Sequence, residues 1–190
     1  MSQIEHFMQH PLEVQEQTIM NLTGMARHTE WGKKFGYPDM QNIEQFQEKV
    51  PVSAYEDIFP YIDRMMRGEQ KLLWPTKVTW FAKSSGTTNA RSKFIPVTEE
   101  SLEECHVKGG KDMYAMYINR FPETRIFNGK SVGVGGSYQR SHLNNGMYYG
   151  DVSAVIMKNL PLWAEFKRAP GLDVALMAKW EEKIQKMAER

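Results

Sequence analysis

The sequence predicts an α/β protein in which a helical N-terminal segment, residues 1–70, precedes a mixed β-sheet region, residues 71–190. Three observations lead to this prediction. Apolar residues recur at three- and four-residue spacing through the first part, which is typical of amphipathic helices. After residue 71 two β-branched and aromatic runs follow, and a loop of small hydroxyl residues separates them. A hydrophobic fraction of 41% excludes a disordered chain.

Three apolar patterns predict the helices of the first segment. One helix carries the stripe that begins at Leu12 and runs to Ala26, and the glycines at 32 and 36 are its expected stop signals. A second helix covers Ile43 to Val50 and ends before a proline, because the residue before proline disfavours helical geometry. A third covers Tyr55 to Met66, with an interruption expected at Pro60.

The next elements are predicted from residue type. Val78 to Ala82 is β-branched and aromatic and indicates a strand, and Phe94 to Val97 indicates another. Thr98 has the character of a helix N-cap, since two glutamates follow it in the first turn. The helix that it opens is expected to reach about Arg120, although two adjacent glycines lie in its middle.

In the last third of the chain the sequence patterns that predict helices and strands are less regular. Ser131 to Gly136 indicates a strand or turn rich in glycine, and Val152 to Met157 indicates a strand. Asp173 opens a final helix, whose apolar positions are still in register at Arg190. A length of 190 residues suits one domain.

The amino-acid composition indicates in which compartment the protein lies and which partners it does not bind. The net charge of +1 argues against a dedicated nucleic-acid binder. The single cysteine, Cys105, cannot form an internal disulfide and is expected to be a small buried side chain on a helix. The N-terminus lacks a signal-peptide pattern, and no apolar run reaches the length that a membrane span needs. We therefore expect a cytoplasmic protein without a membrane partner.

The segment Ser84 to Lys93 carries the strongest chemical signal in the chain. Small hydroxyl residues around Gly86 allow backbone N–H groups and side-chain hydroxyls to converge on an anion, which suits phosphate oxygens. Lys93 adds a positive charge. The spacing is not that of a Walker loop, and a strand rather than a helix follows. From the residues alone, an ordinary turn and a phosphate-binding loop both remain open.

This loop resembles the phosphate-binding loop of the adenylate-forming superfamily. The lysine nine residues after Ser84, followed by Phe94-Ile95-Pro96, is similar to the auxin-responsive Gretchen Hagen acyl-acid amido synthetases, and we expect a bacterial type. Further segments resemble the same family in the same order. They are 26–33, 50–57, 60–64, 68–69, 150–154 and 159–161.

The resemblance implies a fold, a reaction and a set of binding residues. The fold is the N-terminal domain of an adenylate-forming enzyme. The enzyme uses ATP and Mg²⁺ to adenylate a carboxylic acid and then transfers the acyl group to an amino acid. The residues implied in binding the β- and γ-phosphates are Ser84, Ser85, Gly86, Thr87, Thr88 and Lys93. No residue stands out as a catalytic general base, and the five histidines show no metal-ligand spacing.

The chain departs from the family in two respects. Asn89 and Ala90 stand where a glycine or an acidic residue is common. The family's motifs for adenine, ribose and magnesium have no counterpart in this sequence, and neither does its mobile C-terminal domain. We therefore expect an incomplete N-terminal domain that is inactive alone. Its expected partner is the C-terminal part of the same polypeptide.

Two alternatives remain open. One is a fragment of an acyl- or aryl-CoA ligase, and the other is a non-catalytic module that binds a nucleotide or polyphosphate.

Overall fold

The computed structural model describes residues 1–84, 92–143 and 145–189, and the chain divides into two compact units, residues 1–78 and 79–190. The first unit is helical. Its α-helices are α1 (Ser2–Gln9), α2 (Pro11–Ala26), α3 (Glu30–Lys34), α4 (Ile43–Lys49) and α5 (Tyr55–Met66). In the described part of the chain, no helix combines the length and the apolarity that crossing a membrane requires.

The predicted helices of the first unit are confirmed, with two differences. Gly32 lies inside α3 rather than at a helix end. A Cβ at this position would lie 2.2 Å from the carbonyl oxygen of Ala26, which explains the glycine. Pro60 lies within α5, which continues through it. Gly36 does end a helical segment, and its φ of +71° explains the glycine. Apolar side chains that are buried in this unit include Ala26, Met40, Ile62, Met65 and Leu72.

The second unit combines a mixed sheet with helices. Its strands are β1 (Trp80–Lys83), β2 (Phe94–Val97), β3 (Ser131–Val132), β4 (Tyr138–Arg140), β5 (Tyr148–Asp151) and β6 (Arg168–Ala169). Its helices are α6 (Glu99–Ser101), α7 (Lys108–Arg120), α8 (Val152–Lys158), α9 (Leu162–Phe166), α10 (Leu172–Ala175) and α11 (Trp180–Ala188). A π-helical segment, Leu102–Val107, joins α6 to α7, so the helix predicted after Thr98 is continuous to Arg120.

Among the described residues, the main sheet has the order β2-β1-β5-β4. Strand β1 pairs antiparallel with β2 and parallel with β5, while β4 is antiparallel to β5. Strands β3 and β6 form a separate parallel pair. Helix α8 packs on β1 and β5, and its Ala154 and Val155 are buried together with Phe81 of β1. This mixed α/β architecture confirms the predicted fold class.

The predicted strand at Val152 to Met157 is wrong, because these residues form α8. Their β-branched side chains favour a strand, yet β5 ends at Asp151 and the following turn of helix buries two adjacent residues on the sheet. Packing therefore overrides local propensity at this position. Strands β4 and β5 are not predicted from the sequence, although Tyr138, Tyr148 and Tyr149 are residues that strands favour.

The final helix is also different from the prediction. It is divided into α10 and α11, with residues 176–179 between them. The apolar residues Trp180 and Ile184 of α11 are 57% and 46% exposed, whereas Lys183 between them is buried. Cys105 lies on a helical segment as expected, but it is exposed.

Candidate functional site

The loop singled out in the sequence connects the two strands of a β-hairpin. Strand β1 ends at Lys83, whose backbone partners are Phe94 on β2 and Asp151 on the parallel strand β5. The carboxyl ends of β1 and β5 therefore lie at the same edge of the sheet, and the loop begins at that edge. In open α/β sheets, this edge is where ligands bind.

Both ends of the loop are held by hydrogen bonds. The N–H of Ser84 donates to the carbonyl oxygen of Lys93 at 2.9 Å, and the N–H of Lys93 donates to Ser84 Oγ at 3.4 Å. Ser84 is half-buried and the Lys93 side chain is exposed. The other predicted binding residues, Ser85, Gly86, Thr87 and Thr88, lie outside the described residues, so their roles remain predictions.

A cleft of about 440 Å³ lies at the edge where the loop begins. It is lined by Lys83, Phe94, Tyr149 and Asp151, together with the segment 137–139. Strand alternation explains part of this grouping, since the paired positions of β1, β2 and β5 place Lys83, Phe94, Tyr149 and Asp151 on one face of the sheet. The cleft thus combines a lysine, a carboxylate and three aromatic residues, Phe94, Tyr138 and Tyr149.

The carboxylate of Asp151 is fixed by the neighbouring backbone. Its Oδ2 accepts a hydrogen bond from the N–H of Ser137 at 2.9 Å. Ser153 Oγ accepts from the N–H of Gly136 at 2.9 Å, so two consecutive N–H groups are bound by side chains at the start of α8. A Cβ on Gly136 would lie 2.1 Å from Asp151 Oδ2, which explains why glycine stands at this position.

Aromatic contacts form one wall of the cleft. The rings of Phe94 and Tyr149 meet edge to face at 5.7 Å, which is a favourable aromatic geometry. The Tyr149 hydroxyl donates to Ser141 Oγ at 3.1 Å, and this bond fixes the ring in the wall of the cleft. These contacts fix the side chains that line the cleft beside Lys83.

Tyr149 and Asp151 were not among the predicted site residues. Asp151 belongs to the segment 150–154 that resembles the family, but the resemblance implies no binding role for it. The parallel pairing of β5 with β1 brings it to the edge where the loop begins, although 67 residues lie between the paired Lys83 and Asp151 along the chain. The adjacent aromatic residues Tyr148 and Tyr149 indicate a strand, but they do not identify its partner strand.

Three segments of the first unit that resemble the family, 26–33, 60–64 and 68–69, meet at Arg64. The Arg64 guanidinium donates to both carboxylate oxygens of Glu30 at 2.8 Å, and it also donates to Glu69 at 2.5 and 2.8 Å. These hydrogen bonds from Arg64 hold the pKa of Glu30 and the pKa of Glu69 below their usual value. The pKa of Arg64 is raised in turn, mainly by the hydrogen bond to Glu30. The contacts connect α3 to the end of α5.

A family model and individual relatives agree on the family to which the chain is similar. The model of the GH3 family N-terminal domain matches residues 1–190. The indole-3-acetic acid-amido synthetase GH3.2 of Arabidopsis thaliana is 34% identical over 101 residues, which are 53% of this chain and 18% of that protein. The jasmonoyl–L-amino acid synthetase JAR4 of Nicotiana attenuata is 25% identical over 157 residues, which are 82% of this chain and 26% of that protein.

Solved structures agree on the fold. The GH3.15 acyl acid amido synthetase superposes with a TM-score of 0.77 at 21% identity, covering 98% of this chain and 32% of that one. A structure of AtGH3.15 in complex with 2,4-DB gives a TM-score of 0.76 at 21% identity. The chain therefore spans between about a fifth and a third of the length of these proteins.

Proposed function

The chain belongs to the GH3 family, whose N-terminal domain it matches throughout, and on this premise we propose that it is part of an ATP-dependent acyl-acid amido synthetase. The reaction has two steps. The carboxylate of an acyl acid attacks the α-phosphate of ATP and releases pyrophosphate. The amine of an amino acid then attacks the acyl-adenylate, which gives an amide and AMP. The observation that carries the proposal is the loop 84–93 at the carboxyl edge of the parallel strands β1 and β5.

The described side chains suit the binding of a nucleotide. Lys83 and Lys93 supply positive charge at the two ends of the loop, and positive charge favours phosphate oxygens. We assign Ser84 and its neighbours Ser85, Thr87 and Thr88 as hydroxyl donors, with backbone N–H groups around Gly86. Catalysis of this kind depends mainly on positioning and on electrostatic stabilisation of the phosphates.

The cleft fits a magnesium ion that arrives with the nucleotide. Among the described residues, no group of three or more His, Cys, Asp or Glu side chains could hold a metal ion. Mg²⁺ is usually bound through one or two carboxylates together with substrate phosphates, and it keeps several waters. Asp151 is the carboxylate that lines the cleft, and we assign it this role. When bound, the ion offsets the negative charge of the phosphates.

The acceptor is proposed to be an amino acid rather than a thiol. The relatives named above are amido synthetases, which favours an amine over the thiol that a CoA ligase would use. The two relatives are plant proteins, so a bacterial type remains a prediction. The single cysteine remains the reason to propose a reducing, cytoplasmic location. Since the chain spans only part of its relatives, we propose that the 190 residues alone do not form an amide.

Binding of ATP and of pyrophosphate to the chain tests the nucleotide site. Isothermal titration calorimetry should show an affinity that falls at least about tenfold in Ser85→Ala/Lys93→Ala, since a hydroxyl donor and a cation are removed. Lys130→Ala is the matched control, because it removes an exposed lysine of the same unit elsewhere in the chain. Equal affinity in the double variant and the control would show that the loop does not bind phosphate.

An activity assay of the 190-residue chain tests the proposal that these residues alone do not carry out the reaction. With ATP, Mg²⁺ and an aryl or fatty acid, we expect no acyl-hydroxamate when hydroxylamine is used to trap an adenylate. A trapped product would show that these residues suffice for the first half-reaction. Nucleotide binding without any acid-dependent step in the full-length protein would instead support the non-catalytic module, and transfer to a thiol would support the CoA ligase.

A further inference from the structure

The helical first unit contains a cavity of its own. It has a volume of about 350 Å³ and lies among α2, α3, α4, α5 and the segment 73–74. All of its lining residues belong to the first unit, and none of them lines the cleft at the loop in the second unit. Protein interiors hold few voids larger than a water molecule, and small-molecule sites have volumes of about 300–1,000 Å³. The size of this cavity therefore suits a small molecule.

The spacing of apolar residues on α2 builds one wall of the cavity. Ile19, Leu22 and Ala26 recur at three- and four-residue intervals, so they share one face of the helix. Helices α3 and α4 both pack on α2 and add Trp31 and Phe46 to the lining. Most of the lining side chains are neither fully buried nor fully exposed, so apolar surface remains accessible inside the cavity.

The lining of the cavity carries no charged side chain in the described part of the chain. Thr23 is a polar lining residue, and its hydroxyl is already bound, because it donates to the carbonyl oxygens of Ile19 and Met20 at 3.0 and 3.1 Å. Burial raises the pKa of Tyr37 above its usual value, so this hydroxyl stays neutral at about pH 7. A charged ligand would lose its water here without gaining a partner of opposite charge, which favours an uncharged ligand.

One polar atom of the lining residues lacks a partner. The indole Nε1 of Trp74 is buried and makes no hydrogen bond within the described residues. An indole N–H can only donate, and a buried donor without an acceptor costs free energy. Most buried polar groups in native structures therefore have a partner. A ligand that carries an acceptor oxygen would supply the missing one.

The backbone is anchored on both sides of Trp74. The first two residues of α3 donate their N–H groups to the carbonyl oxygens of residues 71 and 72, at 3.0 and 2.9 Å. On the other side, the Val78 N–H donates to Gln70 Oε1 at 2.8 Å, and Gln70 Nε2 donates to the Val78 carbonyl oxygen at 3.1 Å. These bonds fix the segment that carries the indole, so Trp74 is a preformed part of the wall.

We propose that this cavity binds a small uncharged molecule with an aromatic body and a carbonyl oxygen, which accepts a hydrogen bond from the Trp74 indole. The rings of Trp31, Phe46 and Trp74 suit an aromatic body. A carboxylate fits poorly, because no cation of the described residues lines the cavity to offset its charge. The ligand is neither a nucleotide nor an acid, and the site does not depend on the proposed adenylation.

Two ligands of matched shape test the ligand class. 4-Phenylbutan-2-one and 3-phenylpropanoate share one phenylethyl body, but the first is neutral and the second is charged. Proton–nitrogen NMR spectra of the chain without nucleotide report on this site alone when they are followed at the Trp74 indole signal, which Trp74→Phe identifies among the five tryptophans. The ketone should shift this signal downfield, with an affinity at least about tenfold higher than that of the carboxylate.

Three results of this titration would each overturn the proposal. They are an unchanged Trp74 indole signal at about 10 mM ketone, equal affinity for the two ligands, and a preference for the carboxylate. In Trp74→Phe, calorimetry should show an affinity for the ketone that falls at least about threefold, because the donor is removed and an aromatic ring is kept. An unchanged affinity in this variant would likewise contradict recognition by the indole.

Two leucines of α2 localise the binding. Leu12 and Leu22 are both exposed, but only Leu22 is among the residues that line the cavity. Leu22→Trp should fill the cavity and weaken binding of the ketone at least about tenfold, while Leu12→Trp retains it. Equal effects of the two variants would overturn the assignment, as would self-association of the chain that Leu22→Trp abolishes, because a second copy would then cover the cavity. No arm contains nucleotide, so failure here leaves the ATP proposal untouched.

Discussion

The backbone N–H of Ser84 donates to the carbonyl oxygen of Lys93 at 2.9 Å, and Ser84 Oγ accepts from the N–H of Lys93 at 3.4 Å. This contact adds one residue pair to the ladder between β1 and β2. It brings together the first and last residues of the predicted phosphate-binding loop. The loop is therefore anchored at both ends by strands, at the edge of the sheet where the cleft opens.

The hydroxyl of Ser84 is expected to matter more for binding than for stability. In Ser84→Ala the backbone bond at 2.9 Å remains and only the long contact at 3.4 Å is lost. The free energy of unfolding should change by less than about 0.5 kcal/mol. The affinity for ATP should fall by about threefold or more, because a donor to phosphate is removed. Ser92→Ala is the control. A similar loss of ATP affinity in both variants would contradict a specific role for the Ser84 hydroxyl in binding.

Gly136 is expected to be essential for the position of Asp151. A Cβ at residue 136 would lie 2.1 Å from Asp151 Oδ2, so Gly136→Ala must displace the carboxylate or the backbone. We expect a loss of about 1–3 kcal/mol in the free energy of unfolding, measured in urea. Gly129→Ala is the matched control, since its Cβ would meet nothing within 4 Å. A loss of similar size in the control would mean that the close approach is unimportant.

Lys183 is expected to stabilise the glycine-rich segment. It is 1% exposed, and its Nζ donates to the carbonyl oxygen of Gly135 at 2.6 Å. Lys183→Met keeps the length of the side chain but leaves that carbonyl without this donor. Urea denaturation should show a loss of about 1–3 kcal/mol. Lys186→Met, on the exposed part of the same helix, should change stability by less than about 0.5 kcal/mol. Equal losses would contradict a specific role for the hydrogen bond.

The ion pairs of Arg64 should make the first unit sensitive to acid. Arg64 lowers the pKa of Glu69 in the folded protein, so the carboxylate contributes stability above its usual pKa of 4.5. That contribution is lost as the pH falls through the lowered folded-state pKa. The wild type should therefore be more stable than Glu69→Gln at about pH 7, and the difference should shrink by about pH 3.

Denaturation midpoints in urea across this pH range measure the difference. Glu48→Gln, which neutralises an exposed carboxylate on α4, is the control and should show a smaller dependence. A difference between wild type and Glu69→Gln that grows as the pH falls would have the wrong sign for a lowered pKa. In that case the contact with Arg64 would not govern the titration of Glu69.

Local signals in the sequence were sufficient for several elements. The strand at Phe94 to Val97 and the N-cap Thr98 are confirmed, and Thr98 Oγ1 accepts from the Ser101 N–H at 3.0 Å. Each of these depends on residues within one turn or one strand, so the pattern contains all the necessary information. The strand assigned to Val152–Met157 was wrong for the opposite reason, since burial against β1 and β5 decided its conformation.

By itself, the sequence determined the α/β class, the family and the position of the hydroxyl-rich loop between two strands. Those properties reside in ordered motifs and short-range patterns. Only the tertiary structure decided that β5 lies beside β1, which brings Asp151 to the edge where the loop begins. It also decided that Trp74 lines a cavity with its indole nitrogen unpaired among the described residues. Both depend on contacts between distant segments, and a local pattern does not specify which partner a strand or a buried donor will meet.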